Sequence, residues 1–209
     1  MPTGIERVNW RVEPLESGQP LTLAAWLGIR PQRERLALHR AYHGVVRQAR
    51  DPMFFRELGV PDTLDGRFEV LAIHLFLLLN RLKGQSQDAA AFAQAVFNAF
   101  FADMDRSLRE MGASDLGVGR RVRAMAEGFY GRIAAYESGF AAGDGALGQA
   151  LTRNLYGTVP VPKDAVLDAA VHYLQRQREA LALTPTDRLL QGDIPFLPVG
   201  EAASIRQSA

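Results

Sequence analysis

A chain of 209 residues with 24 basic and 23 acidic side chains carries a formal net charge of +1, so no global field draws it to nucleic acid or a membrane. It has no cysteine, which excludes disulfide scaffolds, thiolate metal sites and cysteine nucleophiles. Alanine and leucine supply 56 residues against 27 for valine, isoleucine and threonine; unbranched side chains lose less rotamer freedom on a helix, so the chain is expected to be helical. Residues 1–30 mix proline and glycine without a clear period and read as an N-terminal arm, in which only Leu21 to Leu27 suits a short helix. Arg33 to Arg50 reads as the first full helix, stopped at Asp51-Pro52 because a residue before proline avoids the α region. Residues 52–58 add one or two turns, closed by Gly59. Asp62 or Thr63 then caps a helix running to about Lys83, with Asp65 in its favoured first turn. Phe68, Leu71, Leu75, Leu78 and Leu82 form its main stripe, and Ala72, Ile73, Phe76 and Leu79 widen that nearly all round. A helix apolar on most faces is central.

Gly84-Gln85-Ser86 reads as a tight loop with Ser86 as the next N-cap. The helix that follows, Gln87 to Met111, carries Phe92, Val96, Phe97, Phe100, Phe101, Met104 and Leu108, and Gly112 suits its C-cap. Val118, Val122, Met125, Phe129, Ile133 and Tyr136 mark a helix over Asp115 to Ser138. Asp144 is expected to cap another, and Pro162 to be the first residue of the last, which stops at Thr184-Pro185. The expected architecture is an all-α irregular bundle of six or seven helices over residues 31–185. Residues 186–209 are expected to be a C-terminal tail with a short apolar patch, Ile194 to Val199. The longest apolar run, Val70 to Leu79, is broken by His74 and covers about half a bilayer. No basic region followed by an apolar stretch opens the chain, so a cytoplasmic location is expected.

The candidate chemistry lies on the central helix and its successor. Arg67, His74 and Arg81 fall seven apart, on one narrow line of that helix. If the two helices joined near position 85 are antiparallel, Arg67 and Asp103 lie equally far from the turn. Arg67 is therefore expected to meet Asp103 or, within a turn, the charges of Asp105, Arg106, Arg109 and Glu110, since a buried guanidinium demands such a partner. This is either a structural network holding two helices in register or the charged end of a binding surface. No metal is expected: Asp103 and Asp105 lie on different helix faces, and His74 sits among apolar neighbours as core histidines do. His39 and His43 are four apart, on a face expected to be solvated. Gly112 to Gly119, ahead of Arg120, Arg121 and Arg123, is a flexible corner or an anion cradle. The six arginines of residues 30–50 are the best candidates for an RNA or an anionic head-group surface. Phe92, Phe97, Phe100 and Phe101 either fill the core or line a groove for a partner helix.

Several long motifs resemble one family. Leu58-Gly-Val-Pro-Asp-Thr-Leu-Asp-Gly-Arg-Phe68 and the apolar helix with His74 and Arg81-Leu82 are similar to the ubiquinol–cytochrome c chaperone family. So are Phe101-Ala-Asp-Met-Asp-Arg-Ser-Leu-Arg-Glu-Met-Gly112, Ser114-Asp-Leu-Gly-Val-Gly119, Tyr130-Gly-Arg-Ile-Ala-Ala-Tyr136 and Arg153-Asn-Leu-Tyr156. The resemblance covers roughly residues 35–180 and implies a bacterial-type member. It implies a non-enzymatic assembly chaperone for the cytochrome bc1 complex, without a cofactor, whose partner is newly made cytochrome b or another bc1 subunit. A ribosome contact, a small co-chaperone and peripheral contact with the inner face of the cytoplasmic membrane are further implied partners; DNA is not. The motif-bearing charges Asp62, Asp65, Arg67, His74, Asp103, Asp105, Arg109 and Glu110 are the candidate functional surface. The alternative is a small all-α enzyme or ligand-binding protein using His74 and the Asp103–Glu110 segment.

Overall fold

The computed structural model describes residues 32–110, 112 and 115–203, and every regular element among them is a helix. The element order is α1 (Gln32–Ala49), α2 (Met53–Arg56), α3 (Leu64–Leu82), α4 (Gln87–Glu110), α5 (Asp115–Ala142), α6 (Asp144–Asn154), α7 (Asp164–Leu183), α8 (Thr186–Leu190) and α9 (Val199–Ala203). The arm of residues 1–30, with its expected short helix, lies outside the described residues.

Helix α3 is the axis of the bundle. It starts where Thr63, in extended conformation, accepts a hydrogen bond from the Gly66 amide at its Oγ1 (3.1 Å) and so satisfies an orphan donor of the first turn. From Val70 to Leu79 only Leu71 is more than marginally exposed, because α1, α4, α5 and α7 all pack around this helix. The chain reverses at Gly84, whose φ of 71° is a left-handed conformation suited to glycine. Ser86 Oγ then accepts from the Ala89 amide at 3.1 Å to open α4, which runs back along α3.

Phe97, Phe100 and Phe101 of α4 meet Phe129 of α5, with ring centroids 5.7 to 6.2 Å apart. Phe92, Phe97, Phe100 and Phe101 are all buried, so they fill the core and leave no groove of their own. Helix α5 outlasts its expected end at Ser138, because Phe140 continues the buried face by stacking on Phe76. Gly143, at φ 95°, caps α6 in place of Asp144, whose carboxylate instead accepts a hydrogen bond from Gln175 on α7. Helix α7 starts at Asp164, two residues after Pro162, with Lys163 as its cap.

The expected tail is part of the packed body as far as residue 203. Leu189, Ile194 and Val199 are buried, and Phe196 stands edge-on to His74 at 5.2 Å. The Gln177 side chain clamps Leu197 in both directions, accepting from its amide at 2.9 Å and donating to its carbonyl at 2.8 Å. Prolines deny this segment a helical period, so its apolar groups are buried by side-chain hydrogen bonding of the backbone rather than by a regular element.

Candidate functional site

The charges expected on one line of α3 go to three different places. Arg67 is exposed; its Nε donates to Asp62 at 2.7 Å, and its guanidinium lies 5.3 Å from the Phe55 ring centre. Because Arg67 stays in water, it needs no partner on α4, and the expected pairing with Asp103 is not formed. Asp103 accepts from Tyr42 Oη at 2.8 Å and from Arg106, one turn on. Burial, followed by the Asp103 charge, holds the Tyr42 hydroxyl above its ordinary range, so it stays protonated and donates. Arg81 donates from Nε to the Leu181 carbonyl and from Nη2 to that of Thr184, both at 2.8 Å, and thus seals the C-terminus of α7. His74 is fully buried between the Val70 carbonyl and Tyr173 Oη, each 2.6 Å away. Burial pushes its pKa down to about 4, which marks a neutral core histidine.

The ion pair that ties two helices together is one the sequence reading did not single out. Glu69 on α3, almost wholly buried, receives Arg132 of α5 side-on, with Arg132 Nε 2.7 Å from Oε2 and 3.0 Å from Oε1. Those hydrogen bonds to Glu69 raise the Arg132 pKa further, and the guanidinium also covers the Phe68 ring at 5.4 Å. Tyr136 lies behind this pair with its hydroxyl buried beside the Asn154 side chain. The available signal was one glutamate inside an apolar helix and an arginine sharing the Phe129–Ile133–Tyr136 helix.

The Glu69–Arg132 pair forms one wall of a cleft of about 810 Å³. Its apolar floor is Phe68 and Leu71 of α3, Met104 and Leu108 of α4, and Met125 of α5. Arginines stand around it: Arg50 just after α1, Arg67 on α3, Arg121 and Arg132 on α5, and Arg153 on α6. The exposed Leu64 forms part of its lip. Of the candidate surface, Asp65, Arg67 and Asp103 line this cleft and Asp62 stands beside it through Arg67. His74, Asp105, Arg109 and Glu110 are not in its lining. Asp105 and Arg109 pair with each other one turn apart on α4, at 2.6 Å. Among the described residues no three His, Cys, Asp or Glu side chains converge as metal ligands; His39 and His43 only pack their rings, 4.2 Å apart. Part of the glycine-rich corner, residues 113 and 114, lies outside the described residues.

Comparison with known proteins places this geometry. Residues 56–196, which include every helix lining the cleft except α1, match the ubiquinol–cytochrome c chaperone family. The chain belongs to that family. Among its relatives, the Xenopus laevis ubiquinol–cytochrome c reductase complex assembly factor 1 is 27% identical over 168 residues, covering 80% of this chain and 84% of the frog protein. The Saccharomyces cerevisiae mitochondrial protein CBP3 is 26% identical over 152 residues, 70% of this chain but only 45% of the yeast protein. The crystal structure of a Cbp3 homolog from Brucella abortus superposes with a TM-score of 0.74 at 33% identity, covering 86% of this chain and 99% of the other. The all-helical bundle is therefore a fold of the ubiquinol–cytochrome c chaperones, and the cleft lies within it.

Proposed function

We propose that this chain is a non-catalytic assembly chaperone of ubiquinol–cytochrome c reductase that holds newly made cytochrome b, seating an apolar segment of that client in the cleft. The observation that carries this reading is the cleft itself: an apolar floor reachable from solvent, ringed by charged groups that keep the unloaded protein hydrated. The lining methionines Met104 and Met125 suit such a task, because flexible thioethers adapt to several apolar anchors. Family membership supports the assembly role, and the name of the frog relative, a ubiquinol–cytochrome c reductase complex assembly factor, agrees with it. The alternative enzyme would need an accessible His74, whereas both ring nitrogens are engaged and the residue is sealed in the core.

No described helix is long and apolar enough to cross a membrane. Membrane contact of this chaperone is therefore proposed as peripheral, on the cytoplasmic side. The exposed arginines 33, 35, 40 and 47 of α1 are the proposed surface for that membrane, a ribosome or a small co-chaperone. The test is a photo-crosslinker at Leu108 or Met125 in the native host during cytochrome b synthesis. A crosslink to cytochrome b, with loss of the bc1 complex on deletion of the chain, is expected; unchanged bc1 levels after deletion would overturn the reading.

A further inference from the structure

Five arginines line the cleft, and two of them are already neutralised: Arg132 by Glu69, and Arg67 by Asp62. Among the described residues no carboxylate pairs with Arg50, Arg121 or Arg153, although the three reach the cleft from the ends or flanks of three different helices. Asp103, which also lines the cleft, is already held by Tyr42 and Arg106. Asn154, which lines the cleft beside Arg153, turns its side chain to the Tyr136 hydroxyl and leaves the three arginines as the free donors of this rim. Asp65 adds one carboxylate to this rim, but the five arginines lining the cleft still outnumber its three acids, Asp65, Glu69 and Asp103, so the rim carries surplus positive charge. Arg50, Arg121 and Arg153 are exposed and hydrated while the cleft is empty; a client laid over the apolar floor excludes water beside them and strengthens their attraction for an incoming carboxylate.

We infer that the cleft recognises an amphipathic helical segment carrying a carboxylate at the edge of its apolar face. This deepens the client-holding reading and rests on it. The apolar face lies on Phe68, Leu71, Met104, Leu108 and Met125, and the carboxylate is received at the rim of Arg50, Arg121 and Arg153. A helix is the fitting form, because no strand edge exists among the described residues to pair with an extended peptide, whereas a groove between helices accepts i, i+3, i+4 anchors. Guanidinium forks give the orientation: a helix docked in reverse would leave both its carboxylate and the arginines unpaired, so the charge sets direction and selectivity.

The test uses the full chain and a labelled amphipathic helix of about five turns with one Glu beside its leucine face, together with twins carrying Gln or Lys at that position. Fluorescence anisotropy is expected to show the Glu helix binding roughly tenfold tighter than the Gln twin, the range of a charge-assisted hydrogen bond. The exposed pair Arg121→Glu and Arg153→Glu should keep the thermal transition yet reverse the preference towards the Lys twin. Equal binding of Glu and Gln helices, no binding of either, or indifference to the charge reversal would each overturn the inference. Phosphatidylglycerol vesicles provide a further arm: arginine-dependent vesicle binding without any Glu-over-Gln preference would make the ligand an anionic lipid and overturn it too. The in-host crosslink separates this from the broader reading. If wild type captures cytochrome b and the charge-reversed chain captures it equally, only the carboxylate inference fails; if wild type captures none, the client reading itself fails.

Discussion

His74 Nε2 on α3 accepts the hydroxyl proton of Tyr173 on α7 across 2.6 Å, and that pair joins four separate stretches of chain. Tyr173 Oη also accepts from Gln48 of α1 at 3.0 Å, and Gln48 donates in turn to the Leu197 carbonyl at 2.8 Å. Phe54 and Phe196 stand edge-on to the imidazole, so the polar contact is sealed from water on both sides. Replacing Tyr173 by Phe removes the donor and strands a buried ring nitrogen, while Gln48 loses one of its two acceptors and keeps the Leu197 carbonyl. We expect Tyr173→Phe to cost about 1–3 kcal/mol in urea unfolding with an unchanged m-value.

The same histidine makes stability depend on pH. Its folded pKa of about 4 lies below the ordinary 6.5, so the unfolded chain takes up a proton in that interval and the folded chain does not. The contribution is complete above pH 6.5 and is lost as pH falls towards 4, at up to about 1.4 kcal/mol per pH unit. Denaturation measured between pH 7 and 4 should show this slope, and His74→Gln, although destabilised at pH 7, should show a shallower one. Parallel slopes in the two proteins would assign the acid sensitivity to other groups.

Glu69 and Arg132 are the buried pair at the wall of the cleft, so removing one partner leaves a charge without compensation in a poorly hydrated place. Arg132→Met is expected to cost about 3 kcal/mol or more, while Glu69→Leu combined with Arg132→Met should recover much of that loss. A double mutant as unstable as the sum of the two single changes would show that the pair adds nothing beyond packing. The measurement is a double-mutant cycle by chemical denaturation.

Much of the bundle was legible because it depends on local rules. Thr63 and Ser86 announce caps, Gly84 and Gly112 announce reversals, and the all-round apolarity of α3 announces its central place. The partners of charged residues were harder, because a seven-residue spacing gives the face of a residue but not its burial. Arg67 lies in the first turns of α3, where the end of the bundle is open to solvent, and so it reaches the local Asp62. Glu69, two residues on, points inward, and its partner is 63 positions away on a helix that the turn-centred register argument never brought in. The cleft was illegible for the same reason: it is assembled from the ends and flanks of α1, α3, α4, α5 and α6, and no one segment carries its signature. The packing of residues 186–203 was missed because Gln177, which anchors Leu197, reads in sequence as one more polar residue on a helix.

Gly66 offers a test in which two local effects have opposite signs. In an isolated helix, exchanging glycine for alanine favours folding by about 1 kcal/mol. Here a Cβ on Gly66 would lie 1.9 Å from the Pro61 carbonyl oxygen and 3.0 Å from its carbon, so the chain before α3 would have to move. That chain carries Thr63, the cap of α3, and Asp62, the partner of Arg67 at the cleft. Backbone cannot yield as a flexible side chain does, so the clash should outweigh the propensity gain. Gly66→Ala is expected to lose about 1–3 kcal/mol and lower the melting temperature. Thr63→Ala, which removes only the cap, should lose about 1 kcal/mol. If Gly66→Ala proved more stable than wild type, the close approach of Pro61 to the first turn, and with it this lip of the cleft, would be wrong.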